Sequence, residues 1–405
     1  MSKIFRITAD SREHLDKLLR DSLFKKTQKK PDYQNKNYNA SFLYTDEDDY
    51  QKKIQSLLID NSRAYNPQPQ HKICFLYTGQ GCQYPGMARE LYETSACIRD
   101  SLDHYANVLD ANNQLKYLPC LIGDIDDIHQ TKYTQPSIVM LQLALNNLWQ
   151  NLGVKPDFLI GHSVGEFSAS VAHGNYTEES ILKLIAKRAD LMQNVKVSGG
   201  MIAIKGSHST IKSILAEEMI DLDFAALNEK NQTVLSGNKD EIEKIKEQCA
   251  LRNIKSRILT VSHPFHSNLM QPVIKQFSEY CHKIQTQQSN PSTILFSNLN
   301  GQALQHPQDA DYWCDHILKP VMFMQSIESA WQQGARIFIE VGPDAILGGL
   351  TKKILAGQKE AVIIQTMKKG KSAHETLKEA SVKLEQLGYL INWESLSKMC
   401  EIKSA

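Results

Sequence analysis

One short stretch restricts the fold of this chain more than any other. The apolar run 158–160 leads directly into 161–165, a Gly-X-Ser-X-Gly sequence, and small residues at helical spacing follow. Strand, sharp turn and helix in this order are typical of a nucleophile elbow, which places a serine, here Ser163, at its tip. The two glycines are needed because neighbouring backbone passes close to the strained serine. A chance match is the alternative, but the strand before and the helix after favour the elbow.

Composition excludes several other classes of protein. The 405 residues carry 46 basic and 45 acidic side chains, a balance that does not favour nucleic-acid binding. Eight scattered cysteines without a Cys-X-X-Cys pair predict reduced thiols, and neither a disulfide framework nor a zinc site. The N-terminus lacks the apolar core of a signal peptide, and no apolar run has the length of a membrane span. We therefore expect a soluble, cytoplasmic protein.

Two segments outside the elbow predict smaller units. Residues 1–70 contain two strand patterns, each followed by a helical pattern, and end in the turn-rich sequence 66–70. A small α/β unit with a linker to the next domain is expected. Residues 200–262 alternate as strand, helix, strand, strand, helix and strand, which is the ferredoxin-like order. We expect this unit to be an insertion in a larger domain that opens with the strand 72–77.

Several polar residues are candidates for the chemistry at the elbow. A serine nucleophile needs a base, and His263 and His266, which share one turn, both remain candidates. No Asp or Glu is clearly placed to orient the histidine, so a backbone carbonyl is expected to do so. The glycine-rich loop 79–86 lacks the ending of a phosphate loop. Its glycines favour close approach to a ligand, with Gln80 presented to the bound group.

Two further candidates lie on predicted helices. Gln135 directly precedes a proline and is expected at the N-terminus of its helix. Arg188 lies on the apolar face of the helix 178–193, with Leu184 four residues before it and Met192 four residues after it. The arginine either projects inward with that face or is an ordinary solvated residue, and the sequence leaves both alternatives open.

Six separated motifs together resemble one family. In chain order they are Gly79-Gln80-Gly81-Cys82-Gln83, Gly161-His162-Ser163-Val164-Gly165-Glu166, Arg188, Asn228, His263-Pro264-Phe265-His266 and Glu340-Val341-Gly342-Pro343. The chain resembles the malonyl-CoA:acyl-carrier-protein acyltransferases, and in particular the acyltransferase domain of polyketide synthases. The resemblance covers residues 71–356.

This resemblance implies a division of the whole chain. An α/β-hydrolase-like subdomain is formed by 71–199 and 263–356, and the ferredoxin-like subdomain 200–262 is inserted in it. An α/β linker domain, 1–70, precedes it, and the segment 357–405 follows it. The resemblance leaves open whether the chain is a free-standing, trans-acting acyltransferase or a piece of a larger enzyme.

The resemblance also implies the catalytic groups. Ser163 is implied to be the nucleophile and His266 its base. Backbone amides of Gln80 and Val164 are implied to form the oxyanion hole. The main-chain carbonyl of His316 is implied to steady the catalytic histidine.

The substrate-binding residues follow from the same resemblance. Arg188 is implied to bind the free carboxylate of a malonyl group, a task suited to the two-pronged guanidinium. Val164 and Phe265 resemble the malonyl-selective subgroup. The other residues implied to contact the substrate or the histidine region are Gln135, His162, Asn228, His263 and Phe265. Two departures from the family pattern are Thr78 in place of a proline and Pro264 in place of an alanine.

The implied reaction has two half-reactions. A malonyl group moves from malonyl-CoA to the serine, and from there to the phosphopantetheine thiol of an acyl carrier protein in polyketide or fatty acid biosynthesis. No metal or bound cofactor is implied, and no nucleic acid or membrane is expected as a partner. The alternatives are an acyl hydrolase of the same fold, which would not need Arg188, an inactive docking or scaffold subunit, and a generic lipase or esterase.

Overall fold

The computed structural model describes residues 2–24, 38–59, 71–110, 115–261, 263–287 and 292–400. The predicted linker at 66–70 lies outside these ranges. Numbered along the chain, the strands are β1 (Lys3–Ala9), β2 (Tyr38–Tyr44), β3 (Lys72–Tyr77), β4 (Phe158–Gly161), β5 (Gly199–Ile204), β6 (Leu222–Glu229), β7 (Gln232–Asn238), β8 (Ser256–Ile258), β9 (Ile294–Phe296), β10 (Ala335–Val341) and β11 (Val362–Gln365).

The helices are numbered in the same way. They are α1 (Arg12–Phe24), α2 (Glu47–Ile59), α3 (Arg89–Thr94), α4 (Ala96–Asp110), α5 (Tyr117–Ile122), α6 (Thr131–Asn151), α7 (Gly165–His173), α8 (Glu178–Gln193), α9 (His208–Glu217), α10 (Lys239–Leu251), α11 (Gln271–Cys281), α12 (Ala310–Leu318), α13 (Phe323–Gln332), α14 (Leu347–Ile354), α15 (Ala373–Gln386) and α16 (Trp393–Cys400). Within the described ranges, no helix is both long enough and apolar enough to cross a membrane.

A parallel five-stranded sheet forms the centre of the molecule. Its strand order is β11-β10-β3-β4-β9. The central strand β3 is at most 1% exposed from Ile73 to Tyr77, because helices cover both faces of a parallel sheet. The carboxyl ends of parallel strands lie at one edge, so the loops that follow β3, β4 and β9 meet there. The predicted α/β architecture is confirmed.

A second, antiparallel sheet interrupts the larger unit. Its strand order is β6-β7-β5-β8, and α9 and α10 pack against it, as in a ferredoxin-like unit. Ile202, Leu235 and Ile245 are fully buried and belong to a hydrophobic cluster separate from that of the large sheet. The small sheet therefore has its own core. Its order of strands and helices is the one the sequence predicted.

Helix α6 begins earlier than the sequence predicted. It starts at Thr131, so Gln135 lies one turn inside the helix and Pro136 is an interior residue. The expectation that Gln135 lies at the N-terminus was wrong, because it rested on the usual preference of proline for the first turn. A proline this close to the start removes only one intrahelical hydrogen bond, and the helix continues past it.

The C-terminal segment takes part in the large sheet. Strand β11 pairs in parallel with β10, with Val362 opposite Ile337. The predicted boundary after residue 356 therefore falls between β10 and β11, which are neighbouring strands of one sheet. The other predicted domain boundaries remain predictions. Helix α15 packs against β2 of the N-terminal unit, where Gln386 donates a hydrogen bond to the Ser41 carbonyl.

A buried ion pair joins the two ends of the described chain. Arg6 on β1 donates through Nε to Glu385 Oε1 at 2.8 Å, and the side chains are 0% and 3% exposed. The same carboxylate oxygen accepts the indole N–H of Trp393 at 2.9 Å, and the guanidinium lies 5.6 Å from that ring. This contact fastens the N-terminal unit to α15 and α16, and the Ser2 backbone N–H also donates to Glu375 on α15 at 3.1 Å.

Arg6→Ala should therefore destabilise the protein strongly. Removing one partner of a buried ion pair leaves the other charge uncompensated, which costs about 3–5 kcal/mol. The double variant Arg6→Met/Glu385→Gln should recover most of this loss, since it removes both charges and keeps an acceptor for Trp393. The free energy of unfolding in urea measures both effects. Lys52→Ala, which breaks an exposed pair with Asp48, is the control; an equal loss there would contradict the prediction.

Candidate active site

Ser163 lies at the tip of a strained turn between β4 and α7. Its φ is +49°, in the left-handed region that side chains usually avoid. A Cβ atom at Gly161 would come within 2.2 Å of the Glu166 nitrogen, and one at Gly165 within 2.1 Å of the Tyr77 carbonyl. Only glycine fits at either position. The predicted elbow is confirmed as a strand, turn and helix with the serine at its tip.

The structure places His266, and not His263, against the serine. His266 Nε2 lies 2.7 Å from Ser163 Oγ. Its Nδ1 lies 3.0 Å from the carbonyl of Lys319, and since a carbonyl only accepts, Nδ1 carries the proton and Nε2 faces the serine hydroxyl as an acceptor. His263 is also buried, with its ring centroid 6.0 Å from that of Phe265.

The charge state of His266 follows from its surroundings. Burial, followed by the charges of His316 and Arg188, holds the pKa of His266 well below its usual value. The imidazole is therefore neutral at neutral pH, as a general base must be.

The carbonyl that holds the histidine is not the one the sequence predicted. The expectation that it belongs to His316 was wrong, because the Lys319 carbonyl occupies that place. Lys319 ends α12 in an extended conformation, φ −87° and ψ 157°, as a residue before proline prefers. This turns its carbonyl away from the helix. His316 is instead buried beside the base, with ring centroids 6.0 Å apart.

A buried carboxylate lies behind the elbow, and sequence reasoning gave it no role. Glu166 is 0% exposed. Its Oε1 accepts from the Tyr312 hydroxyl and from Gln308 Nε2 at 3.4 Å. Its Oε2 accepts from the Asn298 backbone N–H at 3.2 Å and lies 3.4 Å from His316 Nε2. Groups from α12 and from the segment between β9 and α12 therefore converge on one residue of α7.

Asn298 was also missed. It follows β9 by two residues and is 2% exposed. Its Oδ1 accepts the Ser163 backbone N–H at 2.7 Å, and its Nδ2 donates to the Gly161 carbonyl at 2.7 Å. Asn298 could have been predicted from its position in the sequence. It lies just after a strand that pairs with β4, and a residue just after such a strand lies at the same sheet edge as the elbow.

The two predicted oxyanion-hole donors have no protein acceptor. In the described part of the chain, the backbone N–H groups of Gln80 and Val164 make no hydrogen bond, whereas those of Ser163 and Gly165 do. Gln80 is held through its side chain, which accepts from Gln135 Nε2 at 3.3 Å. Free amides beside a nucleophile are suited to stabilise a developing negative charge.

Arg188 is buried rather than solvated. It is 1% exposed and donates through Nη1 to Gln135 Oε1 at 2.7 Å. Its Nε has no hydrogen-bond partner among the described residues. Burial lowers the pKa of Arg188 to about 9, and no acidic side chain contributes in the opposite direction. A cation in this environment is expected to attract an anionic group.

His162 and Asn228 connect the elbow to the small sheet. His162 Nε2 lies 2.8 Å from Asn228 Oδ1, and Asn228 is on β6. Since an amide oxygen only accepts, Nε2 is the donor. The pKa of His162 is lowered, chiefly by burial. The structure therefore brings the predicted residues of the elbow, the loop after β3, α6, α8 and β6 to one sheet edge. In the described ranges, no group of three or more His, Cys, Asp or Glu could hold a metal ion.

A fluorophosphonate should label Ser163, and the labelling rate should decrease only at pH values below the usual pKa of histidine. Neutral His266 is needed to accept the serine proton, and its lowered pKa keeps it neutral to a pH below about 6.5. The measurement is the rate of covalent labelling against pH, with Ser163→Ala as the unlabelled control. His266→Ala should slow labelling, whereas a half-maximal rate above pH ~6.5 would show that burial does not set this pKa.

Sequence comparisons agree with this arrangement. Residues 74–389 match the family model described as an acyl transferase domain. The non-reducing polyketide synthase fsr1 of Gibberella fujikuroi is 29% identical over 352 residues, which cover 84% of this chain and 15% of that protein. The phenolphthiocerol synthesis polyketide synthase type I Pks15/1 of Mycobacterium bovis is 31% identical over 328 residues, 80% of this chain and 15% of that protein. The chain thus spans 15% of the length of these relatives.

Solved structures lead to the same family. The acyltransferase domain from the second module of the salinomycin polyketide synthase superposes with a TM-score of 0.77 at 27% identity, covering 98% of this chain and 85% of that one. The malonyl CoA-acyl carrier protein transacylase from Clostridium perfringens gives a TM-score of 0.71 at 27% identity, covering 78% of this chain and 98% of that one. Because the family model spans well over half of its residues, the chain belongs to the acyl transferase domain family.

Proposed function

We propose that this protein transfers a malonyl group from malonyl-CoA to an acyl carrier protein through an ester on Ser163. In the first half-reaction His266 accepts the serine proton while Oγ attacks the thioester carbonyl. The C–S bond breaks, coenzyme A leaves with the proton, and malonyl-Ser163 remains. In the second half-reaction a phosphopantetheine thiol gives its proton to His266 and attacks the ester carbonyl. The ester C–O bond breaks, the serine oxygen takes that proton from His266, and the malonyl group remains on the carrier as a thioester.

The free amides support stabilisation of the transition state. The tetrahedral intermediate places negative charge on the former carbonyl oxygen, and the N–H groups of Val164 and Gln80 are proposed to receive it. One such donor contributes roughly 3–4 kcal/mol to catalysis in comparable sites. No cofactor takes part in these steps, and malonyl-CoA and the carrier protein are the two substrates.

The observation that carries the malonyl assignment is the burial of Arg188. Among the described residues the buried guanidinium hydrogen-bonds the neutral side chain of Gln135, lies 5.7 Å from the Phe167 ring and has an unpartnered Nε, which is costly unless an anion completes it. The charge of Arg188 contributes to the lowered pKa of His266. This supports a position of Arg188 near Ser163. A malonyl group carries a carboxylate two carbons from its thioester carbonyl and would supply that anion. The name of the Clostridium perfringens neighbour supports the same substrate pair.

Two alternatives lead to different products. An acyl hydrolase of the same fold would release free malonate from the serine ester, and a docking or scaffold subunit would form no ester. Arg188 argues against a hydrolase of neutral acyl groups, because a neutral acyl group would leave the buried guanidinium without an anion. Transfer and hydrolysis of a malonyl ester are distinguished by their products. The paired Ser163 and His266 argue against an inactive subunit.

Incubation with malonyl-CoA should produce one malonyl ester, located on Ser163 by intact mass and peptide mapping. Addition of a phosphopantetheinylated carrier protein should then move the group to the carrier, with little free malonate. Ser163→Ala should show no ester. Release of malonate with an unmodified carrier would favour the hydrolase, and no ester on the wild type would overturn the proposal.

Arg188→Ala should lower the ratio of kcat/KM for malonyl-CoA to that for acetyl-CoA by at least about tenfold, since a charge-assisted hydrogen bond contributes about 1.5–3 kcal/mol. Arg188→Lys should recover only part of the ratio, because an ammonium cannot make the two-pronged contact. Lys187→Ala, at the preceding half-buried position on α8, is the charge-matched control. A ratio within about twofold of wild type for Arg188→Ala would contradict the role of Arg188.

A further inference from the structure

The strained backbone of Ser163 needs support, and one side chain provides it on both sides. The amide of Asn298 accepts from the Ser163 N–H and donates to the Gly161 carbonyl, each at 2.7 Å. These two groups flank His162, so the amide spans the turn in which the serine takes its left-handed φ of +49°. Asn298 is 2% exposed, and its contact with Gly161 is buried, where a hydrogen bond is little exchanged for water, whereas its contact with Ser163 is partly buried.

The backbone of Asn298 connects the serine to the support of the base. The Asn298 carbonyl accepts the Met322 N–H at 2.8 Å. Met322 lies three residues after Lys319, whose carbonyl holds His266 Nδ1 at 3.0 Å. Between them, Val321 exchanges two hydrogen bonds of 2.9 Å with β6 of the small sheet. Segment 319–322 is therefore fixed on both sides, and Asn298 is one of its two anchors.

We propose that Asn298 is a positioning residue for acyl transfer, which holds the nucleophile and the support of its base in one frame. Its side chain sets the peptide between His162 and Ser163, and its backbone sets the segment that orients His266. It touches neither substrate nor reacting atoms. This inference rests on the roles of Ser163 and His266 in the proposed function and is independent of the malonyl substrate.

The required chemistry is one donor and one acceptor on the same side chain. An ionised carboxylate in place of the amide still accepts from the Ser163 N–H, but its second oxygen then faces the Gly161 carbonyl, and two acceptors repel. A protonated carboxyl restores the donor and imitates the amide. Burial and this carbonyl should raise the pKa of the introduced group above that of an ordinary aspartate, about 3.9.

Other titratable groups surround this position. They are Glu166 on α7, Tyr312 and His316 on α12, His162 in the elbow and His266 in the opposite turn. Each of these groups is present in the wild type as well. Dividing the variant rate by the wild-type rate therefore cancels most of their effect on the pH dependence.

The test is the rate of fluorophosphonate labelling of Ser163 in Asn298→Asp, divided by the wild-type rate at each pH. The ratio should be reduced at least about tenfold at alkaline pH and should rise as pH falls and the carboxyl group becomes protonated. Asn300→Asp is the matched control, because Asn300 lies two residues away, is exposed, and uses only its side-chain oxygen, which an aspartate retains. The labelling rate of Asn300→Asp divided by the wild-type rate should stay near one at every pH.

A second variant covers the case in which Asn298→Asp does not fold. Asn298→Ala removes donor and acceptor together and should slow the limiting labelling rate at least about tenfold at every pH, with the apparent affinity for the reagent little changed. A ratio for Asn298→Asp that is independent of pH, or a wild-type rate in Asn298→Ala, would overturn this inference alone. A wild type that is not labelled would overturn the nucleophile assignment, and this inference with it.

Discussion

The buried carboxylate of Glu166 is the interaction on which the active-site edge depends. It lies on α7 one turn after the elbow. A phenol, a side-chain amide and a backbone N–H donate to it, and the His316 imidazole lies 3.4 Å from it. Without this acceptor three buried donors would each lose a partner, which is costly. The carboxylate therefore fixes α7, α12 and the loop after β9 relative to one another before any substrate is considered.

The positions of Ser163 and His266, the proposed catalytic groups, depend on this arrangement indirectly. The loop after β9 carries Asn298, which holds the Ser163 backbone, and α12 ends at the residue whose carbonyl orients His266. The pair itself is a hydrogen bond of 2.7 Å between side chains 103 residues apart. Burial, followed by the charges of His316 and Arg188, lowers the pKa of His266. With a substrate carboxylate bound as proposed, the charge of Arg188 would be balanced, and the base would become stronger when it is needed.

Local patterns in the sequence were sufficient for the elbow, the ferredoxin-like unit and the helical face of Arg188. Each of these depends on periodicity or on close backbone contacts within a few residues. His316 was assigned wrongly because the identity of an orienting carbonyl depends on one backbone torsion, that of Lys319, and not on a residue type. Glu166 and Asn298 were missed as interacting groups because their partners lie more than a hundred positions away, and only the folded sheet edge brings them together.

The pairing of β5 with β8 has a consequence for how the small sheet can vary. These are the first and last strands of the insertion, and they run side by side in opposite directions, with Ile202 opposite Ile258. The chain thus leaves the large unit and re-enters it at neighbouring points. A short loop could connect these two points, although the insertion that connects them has many residues. Loop-closure entropy grows only slowly with length, so lengthening the insertion at its turns would cost little stability. Strand β6 is an exception, because it hydrogen-bonds His162 in the elbow and Val321 in the segment that orients His266. The turns of the small sheet can therefore vary, whereas β6 and the strained turn cannot.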